Sequence, residues 1–199
     1  MKKILVQLGL FVVIVALGYF VYNSIMEPVR FNKEKQLREV VVIERLKDIR
    51  SSQFIYKELS GSYAPNFDTL ISFLKVAEIP IVKMVQDPND TTFSISINDT
   101  VGFINVADSL FGKRDNFKFS QLQTIPFSGG ELFEMQSDTV ERGGVKVHVF
   151  EAKAPFTSFL KGMNEQAVIN IIAKFEDIEK YPGLKVGSLV EPSTDGNWE

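Results

Sequence analysis

The sequence predicts an α+β fold: an N-terminal transmembrane helix continuing into a long amphipathic stalk helix, with a small antiparallel-sheet head. Three observations carry this. Ile4 to Met26 is an almost unbroken apolar run. Phe31 to Leu59 then keeps apolar residues at helical spacing. The middle of the chain switches to short alternating stretches parted by turn residues. Strands gathered after a helical start, rather than interleaved with helices, are the α+β pattern. The expected organisation is a signal-anchor over 1–27, a stalk helix over 28–60 and a head over 61–199.

The apolar run comes first. About 23 helical residues, each rising about 1.5 Å, reach roughly 35 Å, enough to cross a bilayer's hydrocarbon core. Ile4, Leu10, Phe11, Leu17, Phe20 and Met26 mark the expected span. Lys2 and Lys3 precede it as in a secretory leader. The run is longer than a leader's apolar core and no Ala-x-Ala cleavage pattern follows, which predicts a retained anchor. Tyr19 and Tyr22 suit the headgroup level. The competing reading is a buried soluble helix, but such helices seldom stay apolar on every face. Counted alone, the positive charges favour an internal C-terminus. Arg30, Lys33, Lys35 and Arg38 lie beyond the run, against Lys2 and Lys3 before it. The short Lys-Lys start favours an inner-membrane, single-pass protein with its N-terminus inside and its head in the periplasm.

Glu27-Pro28 is expected to break or kink the helix, since Pro lacks the amide donor and restricts its predecessor. Beyond it, Val42, Leu46, Ile49, Gln53 and Tyr56 fall at steps of four and three, one seam of the coiled-coil kind. Val40, Val41, Ile43, Phe54 and Ile55 widen that apolar surface. The lower part is expected to pack on another protein and the upper part on the chain's own head. Ser60-Gly61-Ser62 supplies the stop.

Residues 45–74 read RLKDIRSSQFIYKELSGSYAPNFDTLISFL. This resembles the end of the long first helix, and the helix-to-head loop, of type II secretion pseudopilins and type IV pilins. The resemblance covers roughly residues 1–75. Gly196-Asn197-Trp198-Glu199 is also similar to pseudopilin C-termini. The resemblance implies a hydrophobic N-terminal helix, a Pro-kinked continuation and a small head with an antiparallel sheet. One departure is plain. In Gly9-Leu10-Phe11-Val12-Val13-Ile14, Ile14 stands where that family carries the Glu that follows its processing site. The resemblance therefore implies the architecture, not a pilus.

In the head, Phe67 to Val76 reads as a helix, with Pro80 stopping it. Lys83 to Asp87 reads as a short strand closed by an Asp87-Pro88-Asn89-Asp90 turn. Phe93 to Ile97 alternates strictly, and Asn98-Asp99 is the expected next turn. Ser109 to Asn116 suits a short helix and loop. Phe117 to Phe127 and Glu131 to Val140 are expected strands, parted by Ser128-Gly129-Gly130. Gly143-Gly144 supplies a hairpin turn. Val145 to Glu151 alternates, with Val145, Val147 and Val149 on one face and Lys146, His148 and Phe150 on the other. Pro155 ends that strand. Ala167 to Phe175 is a helix and Gly183 to Val190 a closing strand.

Net charge is −3, with a pI of about 5.4, which argues against a nucleic-acid partner. There is no Cys and one His, so neither a disulfide framework nor a Cys- or His-rich metal site is available. No cofactor is expected. Ca²⁺ alone fits the oxygen-bearing residues Asp87, Asn89 and Asp90, or Glu191, Asp195, Asn197 and Glu199, but the EF-hand Gly and closing Glu are missing. His148, the paired glycines and the acids Glu176, Asp177 and Glu179 read as surface, turns and a solvated helix face.

Five of the ten aspartates are followed by Ser or Thr and then a small apolar residue or Thr. Composition alone predicts roughly 0.5 such sites. The pattern resembles the O-glycan acceptor of some Gram-negative envelope proteins, which would make Thr69, Thr91, Thr100, Ser109 and Thr139 the acceptors. The competing reading is that Asp-Thr and Asp-Ser suit turns and helix caps.

The expected function is therefore non-enzymatic: a pilin- or pseudopilin-like subunit or accessory component of a cell-surface or secretion assembly. Its partners would be the membrane and other envelope or secretion-assembly proteins, including further copies of itself. The alternative is a membrane-tethered periplasmic binding module with no filament role.

Overall fold

The computed structural model describes residues 2–86, 96–114 and 117–199. One helix, α1 (Lys2–Ser60, 59 residues), dominates it. At about 1.5 Å per residue it is roughly 90 Å long. It is the one described helix long and apolar enough to cross a membrane, near the N-terminus, and its most apolar window is wholly unburied. Past that window, Lys, Glu, Gln and Arg favour the helix, and the pairs Lys35–Glu39 at 2.7 Å and Arg38–Glu34 at 3.0 Å bridge successive turns.

The expected break at Pro28 does not occur; α1 runs through it without interruption. Pro removes one helical hydrogen bond, at a cost of about 3 kcal/mol. Here the neighbouring turns are exposed, so water can serve the freed carbonyl. The helix stops instead at Gly61, whose φ of 81° is left-handed. The Gly61 amide donates to the Lys57 carbonyl at 2.8 Å, a glycine C-terminal cap.

The head follows as α2 (Phe67–Val76), β1 (Glu78–Gln86), β2 (Ser96–Asn105), α3 (Val106–Phe111), α4 (Phe119–Gln123), β3 (Glu134–Arg142), β4 (Val145–Pro155), α5 (Phe156–Phe159), α6 (Glu165–Glu176) and β5 (Gly183–Gly187). The strands form two antiparallel sheets, a β1–β2 hairpin and a three-stranded sheet of order β3-β4-β5. A long N-terminal apolar helix followed by small antiparallel sheets is consistent with a pilin-like architecture.

Several elements differ from their expected form. β1 starts at Glu78, so Pro80 lies inside a strand; it sits in a two-stranded sheet, where a missing donor is tolerated. Asn98 and Asp99 are not a turn but strand residues paired with Met84 and Lys83. The turn at 87–90 and most of the 93–97 strand lie outside the described residues. Phe117 to Phe127 is not a strand. Its middle is helix α4, which buries Leu122, while Phe117 stacks on Phe111 with ring centroids 3.9 Å apart. Of the segment after α4, Thr124 makes an isolated bridge with Leu132. β5 ends at Gly187, short of Val190.

Other elements form where the residues place them. α2 spans the expected residues and is capped by Asn66, whose side-chain oxygen accepts from the Thr69 amide at 2.8 Å. Gly143 and Gly144, with φ of 61° and 79°, join β3 to β4 with Arg142 opposite Val145. Both φ values are those of a tight primed hairpin turn. β4 ends at Pro155.

The core lies between α1 and the β3-β4-β5 sheet. Val42, Leu46 and Ile49 of α1 are fully buried, as are Phe150, Ala152 and Ala154 of β4 and Val186 of β5. Alternation puts Phe150, Ala152 and Ala154 on one face of β4. Two alanines there let the helix approach closely. Leu70 and Leu74 of α2, with Phe156, Phe159 and Leu160, close the remaining sides.

Candidate functional site

The predicted seam is buried, but by the chain's own head. Val42, Leu46, Ile49 and Gln53 are fully covered. Tyr56 is half-buried, edge-on to Phe73 with centroids 4.8 Å apart. Val42, Leu46, Ile49 and Gln53 are therefore not open to a partner helix. Apolar contact area of this size holds each such side chain by about 1.5–3 kcal/mol, and here that energy goes into folding. The apolar surface that α1 leaves exposed beyond the apolar run lies elsewhere, at Val29, Leu37, Val40, Val41, Phe54 and Leu59. On the hairpin, Val82, Met84, Val101 and Phe103 are also exposed.

Charged groups pin the head to α1. Arg114 grips the buried carboxylate of Asp48 through two hydrogen bonds, 2.6 and 2.8 Å. That bonding raises the Arg114 pKa above its ordinary value. Arg45, one turn before, is pushed the other way by burial, against the pull of Asp48. One of its guanidinium nitrogens is buried with no hydrogen-bond partner. The closing segment is tied down similarly. Arg50 donates to Glu199 at 2.9 Å, and this bond holds the Glu199 carboxyl below its ordinary range. The Asn197 side chain accepts from the Lys185 amide and donates to the Gly183 carbonyl.

A concave surface lies at the other end of the head, beside the end of the apolar run. An open cleft of about 540 Å³ is walled by Asn23, Glu27, Arg30 and Phe31 of α1 and by Met163 and Asn164. A second, of about 380 Å³, lies where Pro28 and Phe31 meet Gln166, Ala167 and Asn170 of α6. Between them Asn164 donates its side-chain amide to Glu27. Asn164 also caps α6, its side-chain oxygen accepting from the Ala167 amide at 2.9 Å. Arg38 completes the wall. It donates to the carbonyls of Phe159 and Lys161 at 3.1 and 3.0 Å and lies over the Phe127 ring. Lys161 in turn reaches Glu131 at 3.0 Å. Bonds from Ser158 and Lys161 lower the Glu131 pKa. Glu27, Glu34 and Arg38 are thus all engaged by neighbours. Sequence reasoning missed this cleft because its walls meet across more than a hundred residues.

The other predicted residues are dispersed. Ile4, Leu10, Phe11, Leu17 and Phe20 are exposed along α1, and Met26 is half-buried. Thr69 lies in the first turn of α2 and Ser109 is exposed on α3. Thr100 is exposed on β2, while Thr91 lies outside the described residues. Thr139 is exposed on β3, its hydroxyl 2.9 Å from Nδ1 of His148 on β4. Asp68 and Asp108 sit in helix first turns, where the caps themselves are Asn66 and Asn105. Asp87, Asn89 and Asp90 are outside the described residues. In the other candidate Ca²⁺ set, Asn197 and Glu199 hold the closing segment, and Asp195 accepts from Ser193. No group of three or more His, Cys, Asp or Glu suited to a metal occurs among the described residues. Glu176, Asp177 and Glu179 are exposed.

Comparison with known protein families, with curated proteins and with solved structures finds no match to this chain.

Proposed function

We propose that the chain is a non-enzymatic, single-pass membrane protein of a bacterial envelope. Its head stands in the periplasm, at the inner membrane, and joins other subunits in a pilin- or pseudopilin-like assembly. One observation carries the reading: a single unbroken helix is exposed and apolar in its first half and is the spine of the head's core in its second. A helix so divided has one half suited to lipid and the other committed to the fold. Exposed apolar residues at Leu37, Val40 and Val41, outside the filled seam, support contact with further subunits. The Asp-Ser/Thr sites support export, since such glycans are added outside the cytoplasm.

The test uses the absence of native cysteine. Leu37→Cys in native membranes, treated with a bifunctional thiol crosslinker, is expected to give an oligomer ladder or a defined heteromeric band. A purely monomeric pattern favours the second reading, a membrane-tethered binding module, which the cleft beside Glu27 supports. Leu59→Cys should react with an impermeant maleimide in intact spheroplasts. Protection until lysis would reverse the orientation. Intact mass of the native protein reports anchor retention and glycan together.

A further inference from the structure

The apolar run ends at Met26, and the head touches α1 immediately after it, at Glu27. Asn23 and Glu27 share the larger cleft with Gly162, Met163 and Asn164, the loop between α5 and α6. The Asn164–Glu27 hydrogen bond closes this contact. Gln166, Ala167 and Asn170, in the first turns of α6, face Pro28 and Phe31 across the second cleft. From Met26 to Phe31 the helix rises only about 7–8 Å. The polar layer on each side of a bilayer is about 5–8 Å deep. A span ending near Met26 therefore leaves no free stalk. The 162–164 loop and the start of α6 fall at headgroup depth.

We infer that this end of the head is a membrane-contact surface, and that its occupant is the headgroup layer of the same bilayer that takes the N-terminal helix. The inference rests on the proposed span. Its residue chemistry suits that layer. Asn164, Gln166 and Asn170 are exposed amides, Met163 is half-buried, and Ile169 is exposed on α6. Arg30, one turn past Met26, is exposed in the cleft wall and has no carboxylate partner in the ion pairs among the described residues. A guanidinium there meets lipid phosphates. The contact gives the head a second attachment to the membrane. It restrains the tilt and rotation of the unbroken helix and head together.

The test uses full-length single-cysteine variants in vesicles of phosphatidylethanolamine and phosphatidylglycerol. Glu165→Cys and Gln166→Cys replace exposed side chains and are expected to leave the fold intact. Leu59→Cys, far up α1, is the distal control, and Leu17→Cys reports the span. Each carries an environment-sensitive fluorophore, read against lipids quenching at the headgroup or deep in the acyl chains. The Glu165 and Gln166 labels are expected to be quenched several-fold more by the headgroup quencher than the Leu59 label. Quenching equal to that at Leu59, with Leu17 still quenched by the deep probe, overturns the inference and leaves the span standing. Absence of deep quenching at Leu17 removes the span, and the inference with it.

Discussion

Gln53 and Ala64 exchange two hydrogen bonds across the turn that ends α1. The Gln53 side-chain amide donates to the Ala64 carbonyl at 3.0 Å, and the Ala64 amide donates to the Gln53 oxygen at 2.8 Å. Both residues are fully buried. The side chain of Gln53 thus stands in for a strand partner and fixes the chain's return onto the helix.

Gln53→Leu should therefore destabilise the head despite adding apolar surface. It leaves the amide and carbonyl of Ala64 buried without partners, at about 1–3 kcal/mol each. The expected total is about 2–4 kcal/mol, read as a fall in thermal midpoint of the detergent-solubilised protein. A variant as stable as wild type would mean that the loop finds other partners.

The filled seam makes a contrasting pair. Leu46→Ala or Ile49→Ala should cost about 2–5 kcal/mol through lost burial and a cavity, and Leu46→Asp should unfold the head. Leu37→Ala, on the exposed face, should leave the midpoint within about 0.5 kcal/mol of wild type while weakening crosslinked assembly. Equal thermal effects at Leu46 and Leu37 would contradict the described packing.

At the buried carboxylate of Asp48, the two arginines should respond unequally. Arg114→Met strips Asp48 of its bidentate partner. Breaking a buried pair costs about 3–5 kcal/mol; Arg114 is itself half-exposed, so about 1–3 kcal/mol is expected. Arg45→Met removes a guanidinium that burial already disfavours and should cost less. Denaturant unfolding of both variants measures the difference.

Trp198, the one tryptophan, reports on the Arg50–Glu199 tie. Its ring packs directly against Gly196, where a Cβ would not fit. The Glu199 carboxyl is held below its ordinary 4.5 by Arg50. The folded state therefore binds fewer protons here than the unfolded state. The tie is fully present above about pH 4.5 and is lost as pH falls further, through the lowered value. Trp198 emission should shift red in that acid window. Glu199→Gln should abolish the transition, leaving emission flat across it.

Legibility followed the range of the forces involved. α2 was readable because its apolar residues recur at helical spacing within ten residues. The Gly143-Gly144 hairpin was readable because two adjacent positive φ values need glycine. Phe117 to Phe127 departs from the expected strand because its apolar residues pack inward from a helix and loop, Leu122 buried on α4 and Phe117 stacked on Phe111. Asn98-Asp99 was misread because turn-forming residues also pair in strands when a partner is present. The cleft beside Glu27 left no local signal at all.

Taken by itself, the order of residues determined the long apolar helix, its stripe at Val42, Leu46, Ile49 and Gln53, and the mixed α+β class. Each depends on spacing along one segment. Only the tertiary structure decided what covers that stripe, and that α6 reaches back to Glu27. Both depend on contacts between distant segments, such as Asn164 with Glu27 and Arg114 with Asp48. Burial is a property of the folded surface, and periodicity states that a face will be covered without stating by what.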